Sequence, residues 1–313
     1  MFAFDLKVVE LPLITKFRGI EKREIALFEG PAGWSEFSPF KEYGSKEAAI
    51  WLKAAIEGAT TPPPTRIREA VEINAILPNV GKSQVKNILE RFSGCKTIKI
   101  KINNFKSDYE LLSEVLSLVP DATLRLDVNG QWELDEAVEN LNNFYREFKD
   151  NIDYVEQPCL DFEDLKSLRK QIKIKIAIDE SIRKNRYNNL ELLREIADIA
   201  IIKWAPSGGI QAALALTETI NLPIVISSAL ESSVGISHGL ALAQSIPNLY
   251  GACGLGSASL FKFDVTDQPF VINEGKLSNR EITPELIDQI KVEPKRLSWW
   301  HNMIDQIYRE GLI

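Results

Sequence analysis

The segment KTIKIKI, from Lys96 to Ile102, alternates cations with isoleucines. With the two-residue period of a strand, Thr97, Lys99 and Lys101 share one face and Ile98, Ile100 and Ile102 the other. Alone, such a strand reads as an amphipathic edge with its lysines in solvent. The segments that follow change that. Asp127, Glu156, Asp179 and Lys203 fall near the ends of TLRLDV, IDYVEQ, KIAIDE and IAIIKW, which are rich in Leu, Val and Ile. Charges in such strands are costly to bury, so together they read either as a site or as a buried ion-pair network. Three carboxylates with no His or Cys beside them form a hard oxygen set, suited to Mg²⁺ or Mn²⁺ rather than zinc. A lysine next to that set is a candidate base, because a divalent cation and a second ammonium group both disfavour its charged form.

Other chemistry is short of residues. Only His238 and His301 exist as histidines, which leaves acid/base work to carboxylates and lysines. Cys95, Cys159 and Cys253 are widely spaced with no CxxC, which argues against a disulfide framework and against zinc, and for a reducing cytoplasm. The net charge of -7 offers no basic field to nucleic acid or to an anionic membrane. Asp5, Lys7 and Glu10 interrupt the first apolar stretch, and no long uncharged apolar run follows, so neither export nor a membrane span is expected. The expected partner is a small molecule. Oligomeric state is left open, with a monomer as the first expectation.

The elements that must position these residues recur regularly. Starting with EINAIL at Glu72, eight apolar segments alternate with helical patterns, and the last two are LPIVISS and YGACGLG. From the second segment onward, Lys101, Asp127, Glu156, Asp179, Lys203, Ser227 and Gly254 mark their ends at steps of 23 to 29 residues, the length of one strand, one helix and two loops. The expected fold is α/β: a (β/α)8 barrel over residues 71–263 with a small α+β capping domain over 1–70. Residues 264–313, with helix-like TPELIDQIK and RLSWWHNMIDQIY, are expected to return to the cap and pack Trp299 and Trp300 there. Within the cap, FDLKVVEL and EIALFEG read as antiparallel strands about a turn at Arg18-Gly19. SKEAAIWLKAAIEG reads as a helix capped by Ser45 and ended by Gly58, before the break at Pro62-Pro63-Pro64.

Two motif matches fail on context. GISHG, at 235–239, has the spacing of a serine nucleophile elbow but lies well past its strand. Gly81-Lys82-Ser83 ends like a phosphate loop, but Ile76 stands where the first glycine is needed. His238 reads as a helix residue near the barrel mouth.

Taken in order and spacing, KIKIK, LRLDVN, YVEQP, IAIDES, IIKWA and ISSALESS resemble the enolase superfamily in its muconate-lactonizing branch, over nearly the whole chain. GPAGWSEFSPF at 30–40, FRG at 17–19 and CGLG at 253–256 add to the resemblance. It implies that Asp127, Glu156 and Asp179 bind Mg²⁺, with Mn²⁺ as a substitute. It also implies that Lys101 is the acid/base, that Lys203 stands on the opposite face of the substrate, and that Lys99 supports Lys101. Serines after the seventh strand, among Ser227, Ser228, Ser232 and Ser233, would bind a substrate carboxylate; each can also be read as a helix cap. Asn129, two residues past Asp127, is a further candidate with a turn-forming alternative. Gly254 and the cap loops around Arg18 and Tyr43 complete the expected substrate contacts. The implied activity is a metal-dependent syn-dehydration of a hydroxylated cyclohexadiene carboxylate in menaquinone biosynthesis. Racemisation of acylated amino acids, or a barrel that binds without catalysis, are the alternatives. Two departures from the wider superfamily are expected: a short cap without extra helices after the Ser45 helix, and no histidine base near Lys203 or Ser227.

Overall fold

The computed structural model describes residues 2–185 and 190–313. Strands β1 (Lys7–Phe17), β2 (Ile20–Gly30) and β3 (Gly33–Phe37) form an antiparallel sheet in sequence order. The β1–β2 hairpin turns on Arg18 and Gly19 at φ 48° and 80°, the two-residue turn whose hand matches the strand twist. A helix, Ser45–Thr60, lays its alanine-rich face with Trp51 and Leu52 on this sheet. Ser45 is not its cap, contrary to the expectation. Gly44 holds that position without a side-chain bond, and the Ser45 hydroxyl donates to Glu310 instead. The helix also runs through Gly58, where a side chain would collide with Ser35 and His238. No helix intervenes between Thr60 and Ala70.

Strands β4 (Ala70–Glu72) and β12 (Lys276–Ser278) pair as a short antiparallel ribbon. The barrel is built from β5 (Ala75–Leu77), β6 (Thr97–Lys101), β7 (Thr123–Asp127), β8 (Ile152–Glu156), β9 (Lys175–Ile178), β10 (Ile199–Ile202) and β11 (Ile224–Ile226), all parallel and each beside its neighbour in sequence. The eighth segment closes the ring without forming a regular strand. Leu249 bridges to Ile224, Gly254 to Ser227 and Cys253 to Ile73. Gly254 permits this, since a Cβ there would lie 2.5 Å from the Ser227 hydroxyl.

The alternation expected for β6 holds: Ile98, Ile100 and Ile102 are buried in the outer core, while Lys99 and Lys101 point into the barrel. Below the site the barrel is filled by Tyr154, Ala177, Ile199, Ile201 and Val225. Arg125, 2% exposed, completes the floor by donating to Asp153, Asn74 and the carbonyls of Tyr250 and Ala252. The Pro294–Arg309 helix packs against β1 and the Ser45–Thr60 helix. Trp300 is fully buried there, donates to Glu24 at 2.9 Å and meets Phe37 edge-on. No helix among the described residues is long and apolar enough to cross a membrane.

Candidate active site

Five of the charged candidates sit at or one residue beyond the C-terminal end of a barrel strand: Lys101 on β6, Asp127 on β7, Glu156 on β8, Asp179 after β9 and Lys203 after β10. Parallel strands all point these ends the same way, so period-two alternation alone gathers the side chains at one mouth. Since β6 and β10 lie four places apart in a ring of eight, Lys101 and Lys203 face each other across it, with the three carboxylate strands between.

The lysines are the counter-charges of the carboxylates. Lys99 Nζ lies 2.6 Å from Glu156 Oε1 and 2.8 Å from Asp127 Oδ2. Lys101 Nζ lies 2.6 Å from the same Asp127 oxygen and also donates to Asn129 Oδ1. Lys203 Nζ stands 2.7 Å from Asp179 Oδ2, and Arg183 holds the other oxygen at 3.1 Å. Burial pushes the protons of Lys99 and Lys101 off, but the outcomes differ. Asp127 and Glu156 together hold Lys99 well above its ordinary value, whereas the pull of Asp127 on Lys101 is opposed by the Lys99 charge, and Lys101 ends lowered. Burial would raise Asp127, but Lys101 and Lys99 bring it down to about 2. Glu156 is pushed up to about 7 by burial and then by Asp127.

Among the described residues no group of three or more His, Cys, Asp or Glu side chains is set closely enough, as the side chains stand, to hold a metal ion. By the kind of donor, though, the three carboxylates suit a hard divalent cation. Asp127, Glu156 and Asp179 are each at most 2% exposed and stand on adjacent strands. Glu156 Oε2 is buried without a hydrogen-bond partner, an oxygen that burial leaves uncompensated unless a cation takes it.

Around these groups the cavity is lined by Phe17, Arg18 and Phe40 from the cap, by Ser227, Ser228 and Leu230 from the loop after β11, and by Gly254 from the closing segment. The space is narrow, about 50 Å³, and it adjoins a vestibule of about 670 Å³ that shares Arg18, Asn129 and Glu180 and also meets Tyr43. Arg18 lays its guanidinium over the Phe40 ring at 4.1 Å. Asn129 takes its turn-forming reading at φ 56°, and its side chain lies in the cavity lining and bonds Lys101 and Glu180. Ser228 donates to the Gly254 carbonyl at 2.7 Å and lies 2.9 Å from Ser257. Ser232 and Ser233 stand apart from the cavity lining. Ser232 caps the Ser233–Ser245 helix through Val234 N and donates to Glu36, and Ser233 donates to Asp264. For Ser232 the capping reading replaces the substrate contact. His238 is half-buried against Trp204 and beside the Trp34 carbonyl, and desolvation lowers it to about 4.

Sequence reasoning missed Glu180, Arg183, Leu230 and Ser257. Arg183, four residues after Asp179, was open to an i, i+4 reading of the helix that starts at Glu180. Nothing local marks Leu230 or Ser257.

Comparison with known proteins agrees with this architecture. Residues 8–59 match the family model described as enolase N-terminal domain-like, and residues 83–283 the one described as enolase C-terminal domain-like. The muconate lactonizing enzyme of Pseudomonas fluorescens superposes with a TM-score of 0.77 at 17% identity, covering 93% of this chain and 98% of that one. The L-Ala-D/L-Glu epimerase of Bacillus subtilis gives 0.73 at 21% identity, covering 89% and 96%. These show the fold. The o-succinylbenzoate synthase of Mycobacterium ulcerans is 40% identical over 309 residues, or 97% of this chain and 93% of that protein. That of Mycobacterium tuberculosis is 41% identical over the same span. With both domain models matched and such identity along almost its entire length, the chain belongs to the o-succinylbenzoate synthase family of the enolase superfamily.

Proposed function

We propose that this chain is a carbon–oxygen lyase that forms o-succinylbenzoate from 2-succinyl-6-hydroxy-2,4-cyclohexadiene-1-carboxylate, a dehydration in menaquinone biosynthesis, and that it works with Mg²⁺ or Mn²⁺. The observation that carries the reading is the placement of Lys101 and Lys203 on opposite sides of one cavity, with three buried carboxylates on the strands between them. Asp127, Glu156 and Asp179 would hold the cation, which when bound supplies a Lewis acid at the substrate carboxylate.

The remaining chemistry belongs to the side chains. Lys101 in its neutral form takes the proton from the carbon next to the carboxylate. The C–H electron pair becomes the new ring double bond as the neighbouring C–O bond breaks, and Lys101 returns its proton to the departing hydroxyl, which leaves as water. Lys203 remains a cation on the other side of the substrate, where it offsets the charge that builds as the proton leaves. Lys99, held by two carboxylates, keeps its own proton and disfavours a second one on Lys101. Arg18 on the cap side and Ser227, Ser228 and Gly254 on the opposite wall contact the carboxylate groups of the substrate, and Asn129 orients Lys101.

The test is turnover of the cyclohexadiene substrate beside hydrogen exchange at the α-carbon of N-succinyl amino acids in D₂O. Rapid dehydration with slow or absent exchange is expected. Exchange of both enantiomers faster than dehydration would make the chain a racemase instead.

A further inference from the structure

The cavity wall that carries Ser227, Ser228 and Leu230 is held from the other sheet. Leu230 is a buried non-glycine residue at φ 65°, a conformation that persists only where its surroundings over-determine it. Its carbonyl accepts from Arg23 Nε at 3.3 Å, and the same buried guanidinium donates to the Ser38 and Pro39 carbonyls. Two residues further on, the Glu36 carboxylate of β3 sits at the start of the Ser233–Ser245 helix. One of its oxygens accepts from Ser232 N at 3.0 Å, Ser232 Oγ at 2.6 Å and Gly235 N at 3.2 Å, and the other accepts from Ser38 Oγ at 2.6 Å. Gly235 makes the approach possible, because a Cβ there would come within 2.9 Å of that carboxylate. Glu36 is 1% exposed and Arg23 3%, so neither is a surface ion.

We propose that Arg23 and Glu36 form a latch between cap and barrel that fixes the strained 227–232 loop, and that this latch, rather than the barrel alone, sets how tightly the cavity binds its substrate. Both are positioning residues: they touch the loop, and the loop touches the substrate. The effect on substrate binding rests on the dehydratase reading above, whereas the latch itself rests on geometry alone. Acceptor position matters more than charge. A glutamine can present its carbonyl oxygen to the same three donors, whereas aspartate is one methylene too short to reach them.

The experiment compares Glu36→Ala, Glu36→Asp and Glu36→Gln with wild type in steady-state dehydration and in amide hydrogen exchange. Glu36→Ala and Glu36→Asp should raise KM about tenfold with kcat within about threefold, the pattern of lost uniform binding, and Glu36→Gln should restore KM to within about threefold. Exchange should quicken at amides 228–236 in the two weakened variants and not in the barrel strands. A lowered thermal midpoint with unchanged KM would overturn the proposal, as would quickened exchange with unchanged KM, since either leaves only a structural role. Should Glu36→Ala fail to fold, Arg23→Lys, which keeps the charge but loses the bond to Leu230, is expected to show the same KM rise and overturns the proposal if it does not. If wild type fails to dehydrate the substrate, the dehydratase reading falls, and unchanged exchange at 228–236 in the variants would separately overturn the latch.

Discussion

Two lysines on one strand face, two residues apart, are chemically unequal because they do not share their carboxylates evenly. Lys99 lies within 2.8 Å of both Asp127 and Glu156, and Lys101 pairs with Asp127 alone. Burial and the Lys99 charge then lower Lys101, which is the condition for a lysine to act as a base. Lys101→Ala is expected to lower kcat by more than about 10³, since acid/base steps supply roughly 10² to 10⁴. The thermal midpoint should move little, because the change relieves repulsion with Lys99 as well as removing contacts. A variant that retained a tenth of the wild-type rate would take Lys101 out of the mechanism.

At the scale of elements, the loop between β11 and the Ser233–Ser245 helix buries a second carboxylate. Glu231 is fully buried, accepts from Ala229 N with one oxygen and leaves the other unpartnered. Burial, then the nearby Glu36, pushes it up to about 8 from an ordinary 4.5, so the native state binds its proton more tightly than the unfolded chain does. The stabilisation from that proton is complete below about pH 4.5 and is lost as the pH rises through about 8. Glutamine mimics the neutral acid. Glu231→Gln should therefore flatten the fall of the thermal midpoint between about pH 5 and pH 9; a decline as steep as in wild type would show that Glu231 is not its source.

Over the whole molecule, the two ends of the chain are joined at Trp300. Its indole fills the cap against Phe37, and Glu24 beneath it also takes Arg296 and Lys41. Trp300→Ala should cost about 3 to 5 kcal/mol, as truncation of a buried aromatic does, and a loss below about 1 kcal/mol in denaturant melts would mean that the helix merely rests on the sheet. The proposed cation acts on the same scale through linkage. Mg²⁺ or Mn²⁺ should raise the thermal midpoint of wild type and leave that of Asp179→Asn nearly unmoved, while a chelator abolishes turnover reversibly. Full activity in excess chelator would remove the metal from the proposal.

The parts of this protein legible from sequence are those governed by short-range rules. Period two puts Lys99 and Lys101 on the same face, and the cost of burying charge makes Asp127, Glu156, Asp179 and Lys203 conspicuous in apolar strands; the regular steps between them foretell parallel βα units. Three other features depend on which distant surfaces meet. The eighth segment closes the ring through bridges because Gly254 lets Ser227 approach, which no strand pattern encodes. Ser232 reads equally well as a substrate ligand or a cap until Glu36, 196 residues earlier, is seen bonded to it. Leu230 is an ordinary leucine in the sequence, and neither its backbone at φ 65° nor its bond to Arg23, 207 residues away, nor its place in the cavity wall is marked there. Local periodicity thus determines which face each side chain takes, whereas contacts between cap and barrel exist only once both have folded and docked, and those contacts decide the shape of the cavity.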